Sequence, residues 1–320
     1  MKVLITGGAG FIGSYLAEAY LARGDEVYVI DDLSTGSLDN IKPLAANPMF
    51  HFVNDTILNR DAMLELTGIC DVIAHLAAAV GVKLIIDEPL KSIHTNIVGT
   101  EIVLELANKF RKKTFLASTS EVYGRNSQVP LHEDNLRIYG PTHLARWSYA
   151  ATKAMDEFLG LAYYRTKQLP VVIGRFFNTV GPRQTGRYGM VIPRFVGQAL
   201  RNEPITIFGD GKQTRSFTYV KDVVRAVIGL LEEPRAVGEI FNIGGDDEIS
   251  INDLAARVKS ITGSASPIVH VPYNEAFQEG FEDMERRLPD ISRIVGLIGY
   301  KNSCALDQIL VEIVEYERTK

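Results

Sequence analysis

Short apolar runs alternate with segments of helical periodicity along the first part of the chain. Lys2 to Thr6 is an apolar run that ends at glycines, which predicts a buried strand. Phe11 to Ala22 carries apolar side chains at helical spacing, and a glycine follows shortly after, which predicts a helix with a defined end. Glu26 to Ile30 predicts a second strand, and the acidic pair Asp31-Asp32 follows it. This order predicts a β-α-β unit with parallel strands.

The same alternation continues to about residue 175. Further strands are predicted at Phe50 to Val53, Val72 to His75, Thr114 to Ala117 and Pro170 to Arg175, and helices at Pro89 to Ala107 and Ser148 to Tyr164. Strands separated by helices indicate a parallel sheet with right-handed crossovers and with functional side chains at the carboxyl ends of the strands. The predicted fold class is therefore α/β, with a doubly wound parallel sheet of the Rossmann type.

The pattern loosens in the last part of the chain. Helices are predicted at Ile192 to Arg201 and Val220 to Leu231, whereas Gly209 to Phe217 is predicted as a loop and Ser266 to Arg287 as irregular. We expect a Rossmann domain over residues 1–175 and a smaller α/β lobe, mainly for the substrate, over residues 176–320. The two are expected to be partly interleaved, because no linker separates them.

Composition and charge narrow the possible partners. The chain of 320 residues is 46% hydrophobic and 23% charged, as expected for a globular protein with a core. Its formal net charge of -5 provides no basic field for nucleic acid or for an anionic membrane, so we expect neither partner. The chain runs directly into its first strand and has no long apolar run, which favours a cytoplasmic location. Cys70 and Cys304 lack CxxC spacing, so we predict neither a disulfide framework nor a bound metal.

The glycine-rich turn after the first strand predicts a bound dinucleotide. Gly7 permits a tight turn, Gly10 lets the backbone approach a pyrophosphate, and Gly13 lets the helix and strand pack closely. The N-terminus of the helix directs N–H groups at the phosphates. Asp31 ends the next strand, where a carboxylate binds the adenosine ribose, and an acid at this place favours NAD over NADP. An ordinary strand-to-helix turn is the alternative interpretation.

Tyr149 and Lys153 form a candidate acid–base pair. They are four residues apart on a predicted helix and therefore share one face. A lysine beside a phenol favours the phenolate, so we expect a lowered Tyr149 pKa and a general base for a sugar hydroxyl. Thr119 and Glu121 follow a strand just upstream and are expected to project into the same cleft. A packing tyrosine beside a solvated lysine is the alternative, because this spacing is frequent by chance.

A series of motifs follows in fixed order along the chain. They are Gly7-x-x-Gly10-x-x-Gly13, Asp31-Asp32-Leu33-Ser34, His75-Leu76-Ala77-Ala78, Asn96-x-x-Gly99-Thr100, Ser118-Thr119-Ser120-Glu121-Val122-Tyr123-Gly124, Tyr149-x-x-x-Lys153, Arg175-Phe176-Phe177-Asn178-x-x-Gly181-Pro182-Arg183 and Gly209-x-Gly211-x-Gln213-x-Arg215-x-Phe217-x-Tyr219-Val220. Together they resemble the extended short-chain dehydrogenase/reductases that act on nucleotide sugars. The likeness runs from residue 2 to about residue 300.

The resemblance implies a first chemical step and a set of site residues. Tyr149 takes a proton from the sugar 4-hydroxyl while a retained NAD takes the hydride from C4. Thr119 is the hydrogen-bonding partner, and Lys153 tunes Tyr149 and anchors the NAD ribose. The predicted catalytic residues are Tyr149, Lys153, Thr119 and Glu121. The predicted cofactor-binding residues are Gly7, Gly10, Phe11, Ile12, Gly13, Asp31, Asp32, Asp55, Leu76, Ala77, Ala78, Asn96, Tyr149 and Lys153.

The pair Ser120-Glu121 bears on the fate of the 4-keto sugar. By resemblance, a plain 4-epimerase carries Ser or Ala where Glu121 stands, and a 4,6-dehydratase carries Asp-Glu. The stretch Thr119 to Gly124 is similar to UDP-glucuronate decarboxylases, in which C4 oxidation makes a β-keto acid that loses carbon dioxide. Ala145 to Tyr149 is similar to the same branch. The resemblance therefore predicts a UDP-glucuronate decarboxylase that forms UDP-xylose or a 4-keto pentose.

Two alternatives stay open. The segment after His75-Leu76-Ala77-Ala78 lacks the tyrosines typical of decarboxylases, and its Val80-Gly81 is closer to epimerases, so a UDP-sugar 4-epimerase acting on UDP-glucose or UDP-glucuronate is one alternative. Lys83 could hold a substrate carboxylate there, or be a solvated loop lysine. The other alternative is an NAD-binding sensor or scaffold without turnover.

The resemblance also implies substrate contacts and an assembly. The predicted substrate-binding residues are Thr119, Glu121, Asn178, Arg215 and Arg287, with a UDP-sugar as the ligand. Arg215 is expected on the pyrophosphate or near the uronate, and either Arg286 or Arg287 on the nucleotide phosphates. The helices near residues 101–110 and 151–161 are expected to form a four-helix interface, which implies a homodimer.

Overall fold

The computed structural model describes residues 1–81, 87–186, 190–272, 275 and 284–320. The strands are β1 (Lys2–Thr6), β2 (Glu26–Ile30), β3 (Phe50–Val53), β4 (Val72–His75), β5 (Lys113–Thr119), β6 (Val171–Phe176), β7 (Thr179–Val180), β8 (Ile205–Phe208), β9 (Thr214–Ser216), β10 (Thr218–Tyr219), β11 (Ile240–Ile243), β12 (Glu248–Ser250), β13 (Ile268–Val271) and β14 (Arg286–Arg287). The helices are α1 (Phe11–Ala22), α2 (Leu38–Ile41), α3 (Arg60–Ile69), α4 (Pro89–Phe110), α5 (Ser148–Lys167), α6 (Val191–Leu200), α7 (Val220–Glu232), α8 (Ile251–Thr262), α9 (Ser292–Ile298) and α10 (Leu306–Arg318).

A seven-stranded sheet forms the centre of the molecule. Its strand order is β11-β6-β5-β4-β1-β2-β3, and each neighbouring pair is parallel. The direction of winding reverses between β1 and β4, so a crevice opens there at the carboxyl ends of the strands. This topology confirms the predicted α/β fold class with a doubly wound Rossmann sheet.

Helices cover both faces of this sheet with apolar side chains. On one face, Leu16 of α1 and Val227 of α7 are fully buried in a common cluster. On the other face, Met63 of α3 and Val103 of α4 are buried in a second cluster. Each such burial stabilises the fold by about 1.5–3 kcal/mol. The sheet is therefore held rigidly between two layers, and its carboxyl edge is a fixed platform for a site.

Smaller sheets form in the second part of the chain, separate from the central sheet. Helices α6, α8 and α10 bury Phe195, Leu254 and Leu310 in a cluster of their own. Strands β8 and β13 form a parallel pair, and β12, β9 and β14 form a three-stranded sheet. Strand β11 comes from this part of the chain but lies in the central sheet, next to β6. The division of the chain near residue 175 stays a prediction.

Two segments of this region differ from the prediction. Ser266 to Arg287 is not irregular throughout, because β13 and β14 lie within its described residues. The supposed loop from Gly209 to Phe217 contains β9. Each strand pairs with a segment distant in the chain, as Ile268 does with Ile205, so local periodicity could not reveal it.

Helix and strand ends in the first half deviate by a few residues. α4 continues to Phe110 and α5 to Lys167, beyond their predicted ends. Both helices end at residues with a left-handed backbone, Arg111 (φ 56) and Gln168 (φ 57), rather than at a glycine. The usual glycine signal for a helix end is therefore missing from the sequence at both places.

The cysteines, the grouping of metal-ligating side chains and the length of the apolar helices bear on disulfides, metals and membranes. Cys70 and Cys304 are both free, and burial raises the pKa of the Cys70 thiol to about 12. Within the described ranges, no group of three or more His, Cys, Asp or Glu side chains could hold a metal ion. None of the helices described has both the length and the apolar character needed to cross a membrane.

Candidate active site

The glycine turn between β1 and α1 is closed to side chains. Gly7 has φ +71, and a Cβ there would lie 2.8 Å from the backbone of Ala77. A Cβ at Gly13 would lie 2.3 Å from the carbonyl oxygen of Gly7, and one at Gly10 would lie 3.1 Å from the same oxygen. Glycine is therefore required at Gly7 and Gly13, and the turn after β1 lies directly against the turn after β4.

The first turn of α1 presents backbone donors to the crevice. Gly10 is the N-cap, no described side chain caps it by a hydrogen bond, and the first turn carries no acidic residue. The first N–H groups of a helix have no intrahelical partner, and the helix dipole adds positive potential there. The side chains of Phe11 and Ile12 pack against the apolar cluster of α6, α8 and α10. Their backbone amides are thus the groups that can bind a phosphate.

Three carboxylates follow β2 and β3 at the same edge of the sheet. Asp31 is buried, and its two oxygens accept hydrogen bonds from the backbone N–H of Ala9 at 2.9 Å and of Leu33 at 2.8 Å. Burial raises the pKa of Asp31, and these backbone hydrogen bonds oppose the shift. Asp32 is exposed and Asp55 half-buried. Their roles in binding the adenosine part of NAD stay predictions.

The turn after β4 is held in place by Asn96 of α4. The Asn96 Oδ1 accepts a hydrogen bond from the Ala79 N–H at 2.8 Å, and its Nδ2 lies 3.4 Å from the Ala79 carbonyl oxygen. Asn96 is buried, whereas Leu76, Ala77 and Ala78 are half-buried along the turn. The structure therefore shows Asn96 fixing the turn, and a direct contact with NAD stays a prediction.

The residues at this edge fit NAD in space and in chemistry. The tight glycine turn leaves bare backbone where the pyrophosphate would lie, and the uncapped amides of Phe11 and Ile12 are donors for it. Asp31 would hold the adenosine ribose, as its position after β2 predicts. When bound, NAD would supply a hydride acceptor.

We predict that Gly13→Ala removes the bound NAD and destabilises the fold. The new methyl group would lie 2.3 Å from the Gly7 carbonyl oxygen, so the turn must shift at an expected cost of about 1–3 kcal/mol. The NAD content of the purified protein and its urea midpoint measure both effects. Gly296→Ala in α9 is the matched control, because apart from its chain neighbours and its own helix backbone no described atom lies within 4 Å of the added Cβ. Wild-type NAD content in Gly13→Ala would contradict the assigned role of the turn.

Tyr149 lies in the first turn of α5, facing the end of β5. Its side chain is buried, and Thr119 lies beside it. Burial raises the pKa of Tyr149, the charges of Glu121 and Asp156 raise it further, and the nearby Thr119 side chain partly opposes them. The structure therefore confirms the predicted proximity of Thr119 but not the predicted lowering of the Tyr149 pKa.

The reason is the position of Lys153. Its Nζ lies 2.8 Å from Asp156 Oδ2, and both side chains are buried. The lysine charge is therefore balanced by Asp156 rather than directed at the phenol. The prediction that Lys153 lowers the Tyr149 pKa is wrong for this arrangement, in which burial and two carboxylates raise it. Asp156 was not predicted as a site residue, although its spacing of three residues from Lys153 places the two on one helix face.

Glu121 lies in a short 3₁₀ turn, Ser120–Tyr123, that directly follows β5. The Thr119 Oγ1 accepts a hydrogen bond from the Glu121 N–H at 3.2 Å, which fixes this turn. Glu121 Oε1 lies 2.6 Å from Arg287 Nη1, with 15% and 9% of the two side chains exposed. A charged hydrogen bond in such a shielded place is strong and directional. Glu121 is thus part of an ion pair in the cleft rather than a carboxylate in water.

The register of the three-stranded sheet shows which of Arg286 and Arg287 lies in the site. β14 pairs in parallel with β9, and Arg287 lies beside Arg215 in the register. Neighbours in register share a face of the sheet, so Arg215 and Arg287, both buried, face the cleft together. Arg286 faces the other way and pairs with Glu248 at 3.0 and 2.7 Å. Arg287 is therefore the arginine that reaches the site.

Asn178 connects the end of β6 to this small sheet. Its Nδ2 donates to the Ser216 carbonyl oxygen at 2.9 Å. The backbone carbonyl oxygen of Asn178 accepts a hydrogen bond from the Thr218 N–H at 3.2 Å. These bonds hold β9 and β10 against the central sheet. The structure therefore shows a positioning role, and a direct contact of Asn178 with the substrate stays a prediction.

The buried ion pair of Arg175 and Glu157, which was not predicted from the sequence, connects the elements that carry the site. Arg175 Nε and Nη2 each lie 2.8 Å from an oxygen of Glu157, and Arg175 Nη1 donates to the Tyr123 hydroxyl at 2.8 Å. Glu157 also accepts from the Ser118 hydroxyl at 2.6 Å. These bonds join α5 to β5 and β6, and so restrain the position of Tyr149, on α5, relative to the end of β5.

Three further residues concern the surroundings of the cleft. Trp147 is buried and its ring centre lies 6.3 Å from that of Tyr139, so it packs against the loop before α5. Lys83 lies outside the described residues, and its predicted contact with a substrate carboxylate stays open. His75 is buried and forms hydrogen bonds to Thr6 and Thr100, so its role is structural.

The fold and the site together define a class of protein. A doubly wound sheet with this glycine turn, and with a Tyr-x-x-x-Lys pair above the end of β5, is that of an extended short-chain dehydrogenase/reductase. A family model described as GDP-mannose 4,6 dehydratase matches residues 4–313, and the chain belongs to this family. The predicted family and enzyme class are confirmed.

Named relatives are similar over the whole chain. A UDP-N-acetyl-alpha-D-glucosaminuronate decarboxylase from Bacillus cytotoxicus is 42% identical, over 99% of this chain and 98% of the relative. UDP-glucuronic acid decarboxylase 4 from Arabidopsis thaliana is 37% identical, over 98% of this chain and 68% of the relative. A UDP-glucuronic acid 4-epimerase from Bacillus cereus, solved with UDP-glucuronic acid and NAD, matches with TM-score 0.90 and 33% identity, over 100% of this chain and 99% of that one.

Proposed function

We propose that the protein is an NAD-dependent decarboxylase of a UDP-uronic acid and acts as a UDP-glucuronate decarboxylase does. It oxidises the sugar at C4 before carbon dioxide is lost. The observation that carries the proposal is the ion pair of Glu121 with Arg287, which lies beside Thr119 and Tyr149 in one cleft. The pair places a carboxylate and a guanidinium beside the predicted acid–base group, within reach of a bound nucleotide sugar. The predicted roles of these residues rest on that placement.

The chemistry begins at the sugar 4-hydroxyl. Tyr149 takes the hydroxyl proton through its phenolate form, which its raised pKa makes a strong but sparsely populated base. We assign the Thr119 hydroxyl to hold the sugar oxygen in place by a hydrogen bond. NAD, when bound, would supply the hydride acceptor and, where the product is a UDP-pentose rather than its 4-keto form, the hydride that returns to C4. The sugar is then a β-keto acid, because its C6 carboxylate lies two carbons from the C4 carbonyl.

Loss of carbon dioxide needs an electron acceptor and a proton. The C5–C6 bond breaks, its electron pair moves to the C4 oxygen as an enolate, and carbon dioxide leaves. Tyr149, now protonated, and Thr119 donate hydrogen bonds to that oxygen, which stabilises the negative charge that develops there. A proton must then return to C5, and we assign Glu121, ionised in its pair with Arg287, to position the water molecule that supplies it. Arg287 holds Glu121 in place, and we assign Arg215 and Arg287 to the anionic groups of the substrate.

The alternatives share the oxidation at C4 and differ in the steps after it. A dehydratase must protonate a leaving 6-hydroxyl, and Ser120 stands where the resemblance places the Asp for that step. A 4-epimerase would retain the carboxylate and return the hydride to the other face of C4. The relatives named as decarboxylases at 42% and 37% identity favour decarboxylation, and the structural match to a 4-epimerase of UDP-glucuronic acid keeps epimerisation as the second candidate.

A homodimer is the second part of the proposal. α4 and α5 pack side by side, and large apolar side chains are exposed on both, with Phe158 61% exposed and Leu90 83% exposed. A second copy of the same helix pair would cover them in a four-helix interface. Light scattering on the purified protein tests this, and a monomer at micromolar concentration would overturn it. The cytoplasmic location stays a prediction from the sequence.

The product identifies the reaction. The purified protein would be incubated with NAD and, separately, with UDP-glucuronate and UDP-N-acetylglucosaminuronate, and the products identified by NMR. We expect a UDP-pentose, or its 4-keto form, from at least one of them. A C4 epimer that retains its carboxylate would establish the epimerase instead. No turnover of either compound, with NAD bound, would favour the sensor or scaffold.

A further inference from the structure

Asn242 of β11 has no role in the proposed reaction, yet its side-chain amide joins three segments that are distant from it in the chain. Its Oδ1 accepts a hydrogen bond from the Tyr123 hydroxyl at 2.7 Å. Its Nδ2 donates to the backbone carbonyl oxygens of Leu131 at 2.8 Å and of Asp290 at 3.0 Å. Its backbone N–H donates to Glu133 Oε1 at 2.8 Å. Asn242 is completely buried, so these bonds are shielded from water.

The partners of Asn242 require an amide in one orientation. Arg175 Nη1 can only donate and lies 2.8 Å from the Tyr123 hydroxyl oxygen, so the hydrogen of that hydroxyl is directed to Asn242 Oδ1. On the other side, the two backbone carbonyl oxygens can only accept, so the amide nitrogen must face them. A carboxylate would present an oxygen to both carbonyl groups, and an apolar side chain would leave buried polar groups without a partner. The asparagine amide is therefore required by its surroundings.

The bond to Tyr123 fixes the turn that carries Glu121. Both residues lie in the 3₁₀ turn Ser120–Tyr123, which is closed by a 2.9 Å hydrogen bond from the Gly124 N–H to the Glu121 carbonyl oxygen. Tyr123 is completely buried, and its ring centre lies 6.1 Å from that of Phe177. A displacement of the Tyr123 hydroxyl would therefore displace the short turn as a unit, and Glu121 with it.

The bonds to Leu131 and Asp290 fix the segment that follows Arg287. The Leu131 N–H donates to the Leu288 carbonyl oxygen at 2.8 Å, and the Asp290 N–H donates to the Leu131 carbonyl oxygen at 2.9 Å. These bonds form a short bridge directly after β14. The Asn242 amide donates to a carbonyl oxygen on each side of this bridge. The backbone just after Arg287 is thereby tied to the central sheet.

We propose that Asn242 is a positioning residue, which sets where the Glu121–Arg287 pair lies in the cleft by fixing the backbone next to each partner. The proposal rests on the proposed function of this pair toward the nucleotide sugar. Both side chains of the pair have several rotatable bonds, so their 2.6 Å contact can form over a range of backbone positions. The buried amide narrows that range, because it ties both segments to one strand of the central sheet. Small displacements of groups that act on a substrate are costly in rate.

The first test uses Tyr123→Phe, which removes the bond on the Glu121 side and keeps the buried ring. We expect about a tenfold loss of kcat with little change of KM for the nucleotide sugar, because no substrate contact is removed. Tyr300→Phe is the matched control, because this buried phenol hydrogen-bonds to the Gly244 carbonyl oxygen at 3.2 Å, close to the same end of β11. It should leave kcat unchanged. Equal losses in the two variants would overturn the proposal.

A double-mutant cycle separates positioning from general structural support. If the hydrogen bond acts through Glu121, then Tyr123→Phe should lower kcat about tenfold in the wild-type background and no more than about twofold in Glu121→Gln. The urea midpoint, which reports structural support, should fall equally in both backgrounds. Equal kinetic losses in both backgrounds, or no loss in the wild type, would overturn the proposal.

A binding measurement gives a result even if the proposed decarboxylation fails. Asn242→Asp keeps the shape of the side chain and removes the donor to Leu131 and Asp290. By calorimetry with UDP, we expect the Kd to rise about tenfold in the wild-type background and no more than about twofold in Arg287→Met. The same rise in both backgrounds, or no rise in the wild type, would overturn the role of Asn242. The expected rise without any release of carbon dioxide would support that role and overturn the proposed reaction alone.

Discussion

Replacing Tyr149 by phenylalanine should reduce turnover of the nucleotide sugar by about 10²–10⁴-fold, the usual contribution of a general acid–base group. The phenyl ring fills the same buried space, so the fold and the NAD content should be unchanged. The loss should be in kcat, since the phenol acts on the proton of the 4-hydroxyl rather than on binding. Steady-state kinetics beside a measurement of NAD content would record both.

Tyr20→Phe is the matched control for this substitution. Tyr20 is a buried tyrosine of α1 that lies in the apolar cluster on one face of the central sheet, away from the end of β5. It should lose little or no activity. Equal activity of Tyr149→Phe and the wild type would show that another group removes the proton and would remove Tyr149 from the reaction.

Glu157→Gln should lower the free energy of unfolding by about 3–5 kcal/mol, as expected when one partner of a buried ion pair is removed. Arg175 would keep its charge with a neutral amide in place of the carboxylate, deep behind the site. Urea unfolding measures the effect. Glu203→Gln removes a comparable two-bond pair with Arg201 at the exposed surface and should leave stability unchanged. Equal effects of the two substitutions would contradict a buried, structural role of Glu157.

The buried Glu157–Arg175 pair makes the stability of the protein depend on pH. Burial alone would raise the pKa of Glu157, but the hydrogen bonds and charge of Arg175 outweigh it, and the pKa lies below its ordinary value. A lowered folded-state pKa contributes stability above the unfolded value, near 4.5, and that contribution is lost as pH falls through the folded value. Between neutral pH and acid, the wild type should therefore lose more stability than Glu157→Gln. Parallel losses would contradict the assignment.

The first β-α-β unit could be predicted to the residue because its signals are local. Strand Lys2–Thr6, helix Phe11–Ala22 and strand Glu26–Ile30 have the predicted bounds. An apolar run, a glycine turn and helical spacing are each contained within a few residues. The prediction that Thr119 lies beside Tyr149 also held, because parallel strands and the helices that follow them share one edge.

The side-chain pairs of the site could not be predicted in the same way. Glu121 and Arg287 meet because β14 pairs with β9, and that register joins segments far apart in the chain. A phenol and a carboxylate on one helix face compete for Lys153. In the structure the buried Asp156 carboxylate pairs with its ammonium group. Such outcomes depend on packing and desolvation, which periodicity and spacing do not report.

Release of labelled carbon dioxide tests the proposed decarboxylation most directly. UDP-glucuronate and its 2-acetamido analogue, each labelled in the C6 carboxylate, would be incubated with NAD and either the wild type or Tyr149→Phe. We predict that the wild type releases the label from at least one of them and that Tyr149→Phe releases it at least about 100-fold more slowly. A wild-type protein that converts both compounds while retaining the label, or a variant that releases it as fast as the wild type, would contradict the proposed reaction.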